Sequence, residues 1–225
     1  MDAVTPGAVL AELDLAVRAS PRAPASDGLL HPDEVALAAA MPDARAVIFL
    51  SGRAALRAAM RAVAPDAARS PVLRTHRGAP ALPIGVAASI SHKQTRAVAL
   101  AVASTGVQVG VDLEELPTVP AAPGRDLAGR ILTADELDAL DGLDPLERQR
   151  AVLLRFSLKE AVYKAIDPHV GRYVRFTEVA LRVHDDGTAA VRLLLPEPQV
   201  APLRVRAAWR IDQRLILTAA IAETA

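Results

Sequence analysis

Asp112 and Glu114, in the stretch "GVDLEEL", sit two residues apart on a run that alternates like a strand, so both carboxylates project from one face. Like charges that close raise one another's pKa unless a cation neutralises them. Oxygen ligands with no Cys or His beside them suit Mg²⁺, which keeps waters and shares its sphere with substrate phosphates. A solvated strand end is the other reading of the same pattern. The stretch "RFSLKEAVYKA", Arg155 to Ala165, supplies a third acid, Glu160, between Lys159 and Lys164. Ser157 to Glu160 fits a capping box, and Glu160 with Lys164 an i,i+4 helix pair. The apolar pattern from Ala151 to Phe156 runs on through Ser157, however, which sets Glu160 inside the helix as a candidate third ligand. The chain has three lysines, Lys93, Lys159 and Lys164, among 26 basic residues. A compact, mobile ammonium suits a phosphate that moves during a reaction. His92, in "SISHKQT", lies among hydroxyl residues that suit a phosphate or nucleotide edge. A structural hydrogen-bonding role is its alternative, and the only one assigned to His31, His76, His169 and His184.

Several chemistries are excluded. With no cysteine there is no disulfide, thiolate nucleophile or Cys-based zinc site. Neither a G-x-x-x-x-G-K-[ST] nor a G-x-G-x-x-G loop occurs, and no G-x-S-x-G elbow. The formal net charge is zero, so no global field recruits nucleic acid or an anionic membrane, and any anion site must be local. The opening residues carry acids and lack a basic start, and no segment approaches the roughly 18 apolar residues of a membrane span. The expectation is a soluble cytoplasmic protein without nucleic-acid or membrane partners.

Positioning these residues requires particular elements. The 225 residues, 52% of them hydrophobic, suffice for one large domain or two small ones. Residues 8 to 18 fit either a strand period (Leu13, Leu15, Val17) or a helix period (Val9, Leu10, Leu13), with the strand favoured; "HPDEVALAAAM" reads as a short helix with Pro32 in its first turn, and "GRAALRAAMRAVA" as a second helix with Arg53, Arg57 and Arg61 along one face. "RAVALAVAST" and "TGVQVGVDLEEL" read as a hairpin turning at Ser104-Thr105-Gly106. Thr133 to Glu136 is a capping box that starts a helix to about Leu140. The spacing from Glu147 to Ile166 predicts a long helix stopped by Pro168, and two further hairpins follow, the first at "DDG" and the second around Asp212 and Gln213. The architecture expected is α/β (α+β), one compact unit of two similar halves.

Taken together, "SISH", "VGVDLE" and "FSLKEAVYKA" resemble the motifs of the 4′-phosphopantetheinyl transferases, and more closely the two-halved surfactin and enterobactin-synthase type. The pattern G-[IV]-D-x-E followed by [FW]-[SCT]-x-K-E-[AS]-x-x-K is matched at every key position. "GRAALRAAM", "VLRTHRGAPALPIGVAASISH" and the closing "LTAAIA" extend the resemblance over roughly residues 45 to 225. It implies a pseudo-twofold pair of halves, residues 1–109 on the nucleotide side of coenzyme A and 110–225 on the metal and carrier side. Each half would be a small, mostly antiparallel sheet packed on a helix, with the active site between them.

The resemblance also implies an activity and its residues. A monomer would move the phosphopantetheine arm of coenzyme A to a serine of an acyl or peptidyl carrier protein of polyketide, nonribosomal peptide or siderophore synthesis, releasing 3′,5′-ADP. Asp112, Glu114 and Glu160 would hold Mg²⁺, with Glu160 or a metal-bound water as the base. Lys159 and Lys164 would contact the pyrophosphate. Arg53, Arg57, Arg74, Arg77, Ser89 and His92 would line the 3′-phosphate and adenine side. The carrier would dock around residues 122 to 140, on Arg125, Leu127, Arg130, Ile131 and Leu132, although the apolar members could equally seal the core. A non-catalytic coenzyme A binding protein is the alternative reading, and a Mg²⁺-dependent nucleotide hydrolase a third.

Overall fold

The computed structural model describes residues 9–14, 30–93, 96–120, 127–196, 202–212 and 214–224. Strand β1 (Val9–Asp14) comes first. Helix α1 (Pro32–Ala39) starts where His31 Nδ1 accepts the Asp33 N–H and the Glu34 carboxylate accepts the His31 N–H. The next helix, α2 (Asp43–Val63), begins well before "GRAALRAAMRAVA", its apolar face already buried at Ala46 and Phe49.

β2 (Val86–Lys93) and β3 (Arg96–Ala103) pair antiparallel, and β1 joins the far side of β3, giving the order β1-β3-β2. β4 (Val107–Glu115) heads a second antiparallel sheet, β4-β8-β7-β6-β5, with β5 (Val179–Val183), β6 (Thr188–Leu193), β7 (Leu203–Asp212) and β8 (Leu215–Thr224). The hairpin expected across Ser104-Thr105-Gly106 is therefore corrected: β3 pairs with β1 and β2, whereas β4 pairs with β8. Turn chemistry of this kind serves equally to fold a strand back or to carry the chain into another sheet. Here β8, on the order of a hundred residues further on, supplies β4 with its backbone partner.

Alternation along the strands sorts the core into layers. Ala97, Ala99 and Ala101 of β3 meet Leu56, Ala59 and Met60 of α2. Val98, Leu100 and Val102 face the other way, onto Val109, Val111 and Leu113 of β4 and Leu217, Ala219 and Ile221 of β8. The opposite face of β8, at Ile216 and Ala220, packs under Leu158, Val162, Ala165 and Ile166 of α5 (Pro145–Val170). The order through the molecule is α2, first sheet, second sheet, α5, so each helix covers its own antiparallel sheet.

α5 is capped by Asp144, whose carboxylate accepts the Leu146 and Glu147 N–H groups, and it ends at Gly171 with φ 67°. It passes through Pro168, correcting the stop expected there: a proline in the last turn removes one backbone donor without ending the helix. Ser157 is thus mid-helix, and the capping role considered for it falls. Between β4 and α5 lie α3 (Ala128–Ile131) and α4 (Ala134–Asp138), the latter with the expected Thr133–Glu136 capping box. Among the described residues, no helix is long and apolar enough to cross a membrane.

Candidate active site

β2 and β4 are the facing edges of the two sheets, and serine side chains link them. Ser89 Oγ accepts the Val111 N–H at 3.1 Å, and Ser91 Oγ donates to Asp112 Oδ1 at 2.8 Å. From α5, Ser157 Oγ donates to Asp112 Oδ2 at 2.9 Å, and Lys164 Nζ donates to Asp112 Oδ1 and to the Val111 carbonyl, each at 2.9 Å. Thr218, opposite Asp112 in the β4–β8 register, holds Ser157 in turn by donating to its carbonyl. Asp112 is buried and oriented by three donors from two elements. Gly110, two residues earlier, lets α5 come this close, since a Cβ there would lie 1.8 Å from the Ala161 carbonyl oxygen.

Glu114 is largely enclosed and paired with Lys93 Nζ from the end of β2. Burial raises its pKa against the lowering pull of Lys93, and Asp112 adds to the rise. Glu160, half-buried, is raised by burial against the pull of Lys164, with Asp112 and Glu114 adding. The His92 side chain is exposed at the end of β2, and partial desolvation and then Lys164 lower its pKa, against the raising pull of Asp112.

Lys164 and His92 also line a cleft of about 810 Å³, whose walls include Phe49, Arg53, Arg74 and Ser89. The guanidinium groups of Arg53 and Arg74 both lie over the Phe49 ring, 4.6 and 5.4 Å from its centroid. Arg53 also donates to the Val72 and Leu73 carbonyls, and burial lowers its pKa to about 10, against the pull of Glu34 and helped by the charges of Arg74 and Arg57.

Three expected phosphate contacts are engaged elsewhere. Arg57 is buried, bidentate to Glu34 of α1 and bonded to the Ala68 and Ser70 carbonyls, so it ties α1 to α2. Lys159 is 1% exposed; its Nζ donates to Glu136 at 2.6 Å and to the Ile131 and Phe176 carbonyls, away from the carboxylate cluster. Arg77 lines the cleft but is paired with Asp167 and reaches the Gly171 carbonyl, both at the end of α5. In the expected docking region, Leu127 and Arg130 are exposed, while Ile131 and Leu132 are buried with Leu140, so of the two readings offered for them the sealing of the core holds and docking does not. Arg125 lies outside the described residues.

The carboxylate oxygens of Asp112, Glu114 and Glu160 are the donor type a hard divalent cation takes, and the ammonium groups of Lys93 and Lys164 hold two of the three, Glu114 and Asp112. Among the described residues, no three carboxylate or imidazole groups lie close enough together to hold a metal ion as they stand. Glu114 is drawn to Lys93 instead.

Comparison with known proteins adds the family. A model described as the 4′-phosphopantetheinyl transferase superfamily matches residues 108–219, and one described as the 4′-phosphopantetheinyl transferase N-terminal domain matches residues 33–102. The 4′-phosphopantetheinyl transferase Svp of Streptomyces mobaraensis is 35% identical over 200 residues, covering 85% of this chain and 78% of that one. The chain belongs to the 4′-phosphopantetheinyl transferase superfamily. A holo-[acyl-carrier-protein] synthase of Bacillus subtilis is 33% identical over 81 residues, 35% of this chain and 67% of its own. Among solved structures, a holo-(acyl-carrier-protein) synthase from Bacillus anthracis in complex with coenzyme A matches 52% of this chain and 96% of its own, at 23% identity and a TM-score of 0.40.

Within this phosphopantetheinyl transferase, the motif residues Asp112, Glu160, Lys164 and His92 come together from β2, β4 and α5. Sequence reasoning missed the residues that orient Asp112, which are Ser91, Ser157 and, behind it, Thr218, and it missed Lys93 as the partner of Glu114. One signal was available for Ser91, which alternates with Ser89 about Ile90 and so shares its face.

Proposed function

We propose that this protein transfers the phosphopantetheine arm of coenzyme A to a serine hydroxyl of an acyl or peptidyl carrier protein, releasing 3′,5′-ADP. The observation that carries the reading is the 35% identity, over most of both chains, to a relative named for phosphopantetheinyl transfer. The cleft supports it, since its cationic and neutral donors suit a nucleotide bearing several phosphates.

In the proposed reaction the carrier serine oxygen attacks the pyrophosphate phosphorus that carries the pantetheine arm. The bond from that phosphorus to the bridging oxygen breaks, and 3′,5′-ADP leaves with the electron pair. Glu160, its pKa raised, takes the serine proton. Lys164, fixed between Asp112 and the cleft, faces the charge that develops on the pyrophosphate, and neutral His92 donates to a phosphate oxygen. No nucleophile from the enzyme is needed. Asp112, Glu114 and Glu160 would hold Mg²⁺, which when bound supplies charge neutralisation at the pyrophosphate oxygens.

The carriers would be those of polyketide, nonribosomal peptide or siderophore synthesis, docking on exposed Leu127 and Arg130, the arginine steering an acidic partner surface. A monomer working in the cytoplasm, where coenzyme A and these carriers would meet, completes the proposal.

The test is to incubate the protein with coenzyme A, Mg²⁺ and several apo carrier proteins and to weigh the carriers intact. A gain of one phosphopantetheine, lost with EDTA, is expected. Coenzyme A binding without a gain on any carrier would replace transfer with a purely binding role.

A further inference from the structure

Lys93 is unusual for this chain. Its composition writes nearly every cation as arginine, yet a lysine follows His92 at the end of β2, and its ammonium is paired with the Glu114 carboxylate across the seam between the sheets. The side chains are 35% and 12% exposed, so the cation reaches solvent while the anion is largely enclosed. Glu114 shares its β4 face with Asp112 and lies within electrostatic reach of Glu160, yet these three do not converge. The ammonium holding Glu114 comes from β2, outside the two elements that carry the carboxylates.

We propose that Lys93 is a built-in counter-ion that competes with a divalent cation for Glu114, so that loading the site requires the ammonium to leave the carboxylate. The proposal rests on the reading of Asp112, Glu114 and Glu160 as metal ligands given above. Residue type matters here: an arginine would grip Glu114 through two parallel N–H groups, whereas an ammonium is a compact, well-hydrated charge on a flexible stem that can let go. Lys93 thereby neutralises one of three crowded carboxylates while no metal is bound, and it sets how tightly metal is held.

The experiment measures Mn²⁺ binding to the full-length protein without coenzyme A or carrier, by the paramagnetic resonance signal of the free ion. Lys93→Met is expected to tighten binding about tenfold, a factor worth ~1.4 kcal/mol, and Lys93→Arg to leave it equal or weaker. With Glu114→Gln in place, the Lys93→Met gain should vanish. A Lys93→Met protein that binds Mn²⁺ no tighter than its parent overturns the proposal and leaves the metal reading standing. Absence of Mn²⁺ binding in both overturns the two together, whatever the carrier assay shows. A second readout needs no substitution, since the three lysines can be labelled with ¹³C at Cε and titrated with Mg²⁺. The Lys93 resonance should shift while that of buried Lys159 stays; a stationary Lys93 resonance at saturating Mg²⁺ would also overturn the proposal.

Discussion

Gly110 and Ala161 touch: a Cβ on the glycine would lie 1.8 Å from the Ala161 carbonyl oxygen and 2.9 Å from the Ala165 nitrogen. Strand β4 and helix α5 therefore meet backbone to backbone next to Asp112 and Glu160. Gly110→Ala is expected to cost at least about 3 kcal/mol and to lower Tm by roughly 6–12 °C. Calorimetric unfolding checks this, and an alanine variant as stable as its parent would show that the helix can retreat.

Lys159 is expected to act on stability rather than on coenzyme A. Removing the ammonium leaves Glu136 buried with one charge unmatched, which typically costs about 3–5 kcal/mol. Lys159→Met should show that loss in urea unfolding, and Lys159→Met with Glu136→Gln should recover much of it, because a neutral amide has less to lose from burial. Coenzyme A affinity of the double variant, measured by calorimetry, should match the parent; a large loss would return Lys159 to the pyrophosphate.

For Glu160 the expectation is a conflict between stability and turnover. Burial raises its pKa above 4.5 in the folded protein, so between 4.5 and that raised value the native state binds more protons than the unfolded chain. Stability then falls as pH rises through this window and stays lower above it. Glu160→Gln should be more stable than the parent near about pH 7, the difference fading by about pH 4, while transfer drops about 10²–10⁴-fold. Urea unfolding at the two pH values is the check. A variant less stable at neutral pH would mean that attraction to Lys164 outweighs burial.

Arg77 separates two roles. If its work is to hold the loop against the end of α5, Arg77→Ala and Asp167→Ala should weaken coenzyme A binding to a similar degree. If the guanidinium instead contacts a phosphate, Arg77→Ala alone weakens it, and Asp167→Ala, which frees the arginine, tightens it. Binding isotherms for the two variants decide.

The helices and most strands were legible because their signals are local: the Thr133–Glu136 capping box, the DDG turn, and the β-rich apolar run of β3. Glu160 and Lys164 were legible as a pair because four residues bring side chains back to one helix face. That same geometry separates Lys159 from Lys164, since five residues at 3.6 per turn rotate by roughly 140°, and this signal was there to be used. The fate of Arg57 was not legible, because its partner Glu34 belongs to another helix. Nor was the break between β3 and β4, decided by a strand far along the chain.

That strand has a consequence for synthesis. β4 takes its backbone partners from β8, from Val107 with Glu223 to Glu115 with Leu215. A ribosome that has delivered every motif residue, Lys164 included, has not yet made the strand that Asp112 must pair beside. Nascent chains should therefore expose the edge of β4 until residues 215–224 emerge, leaving it open to chaperones and to misassociation. The enzyme's working site would be among the last parts of the molecule to exist.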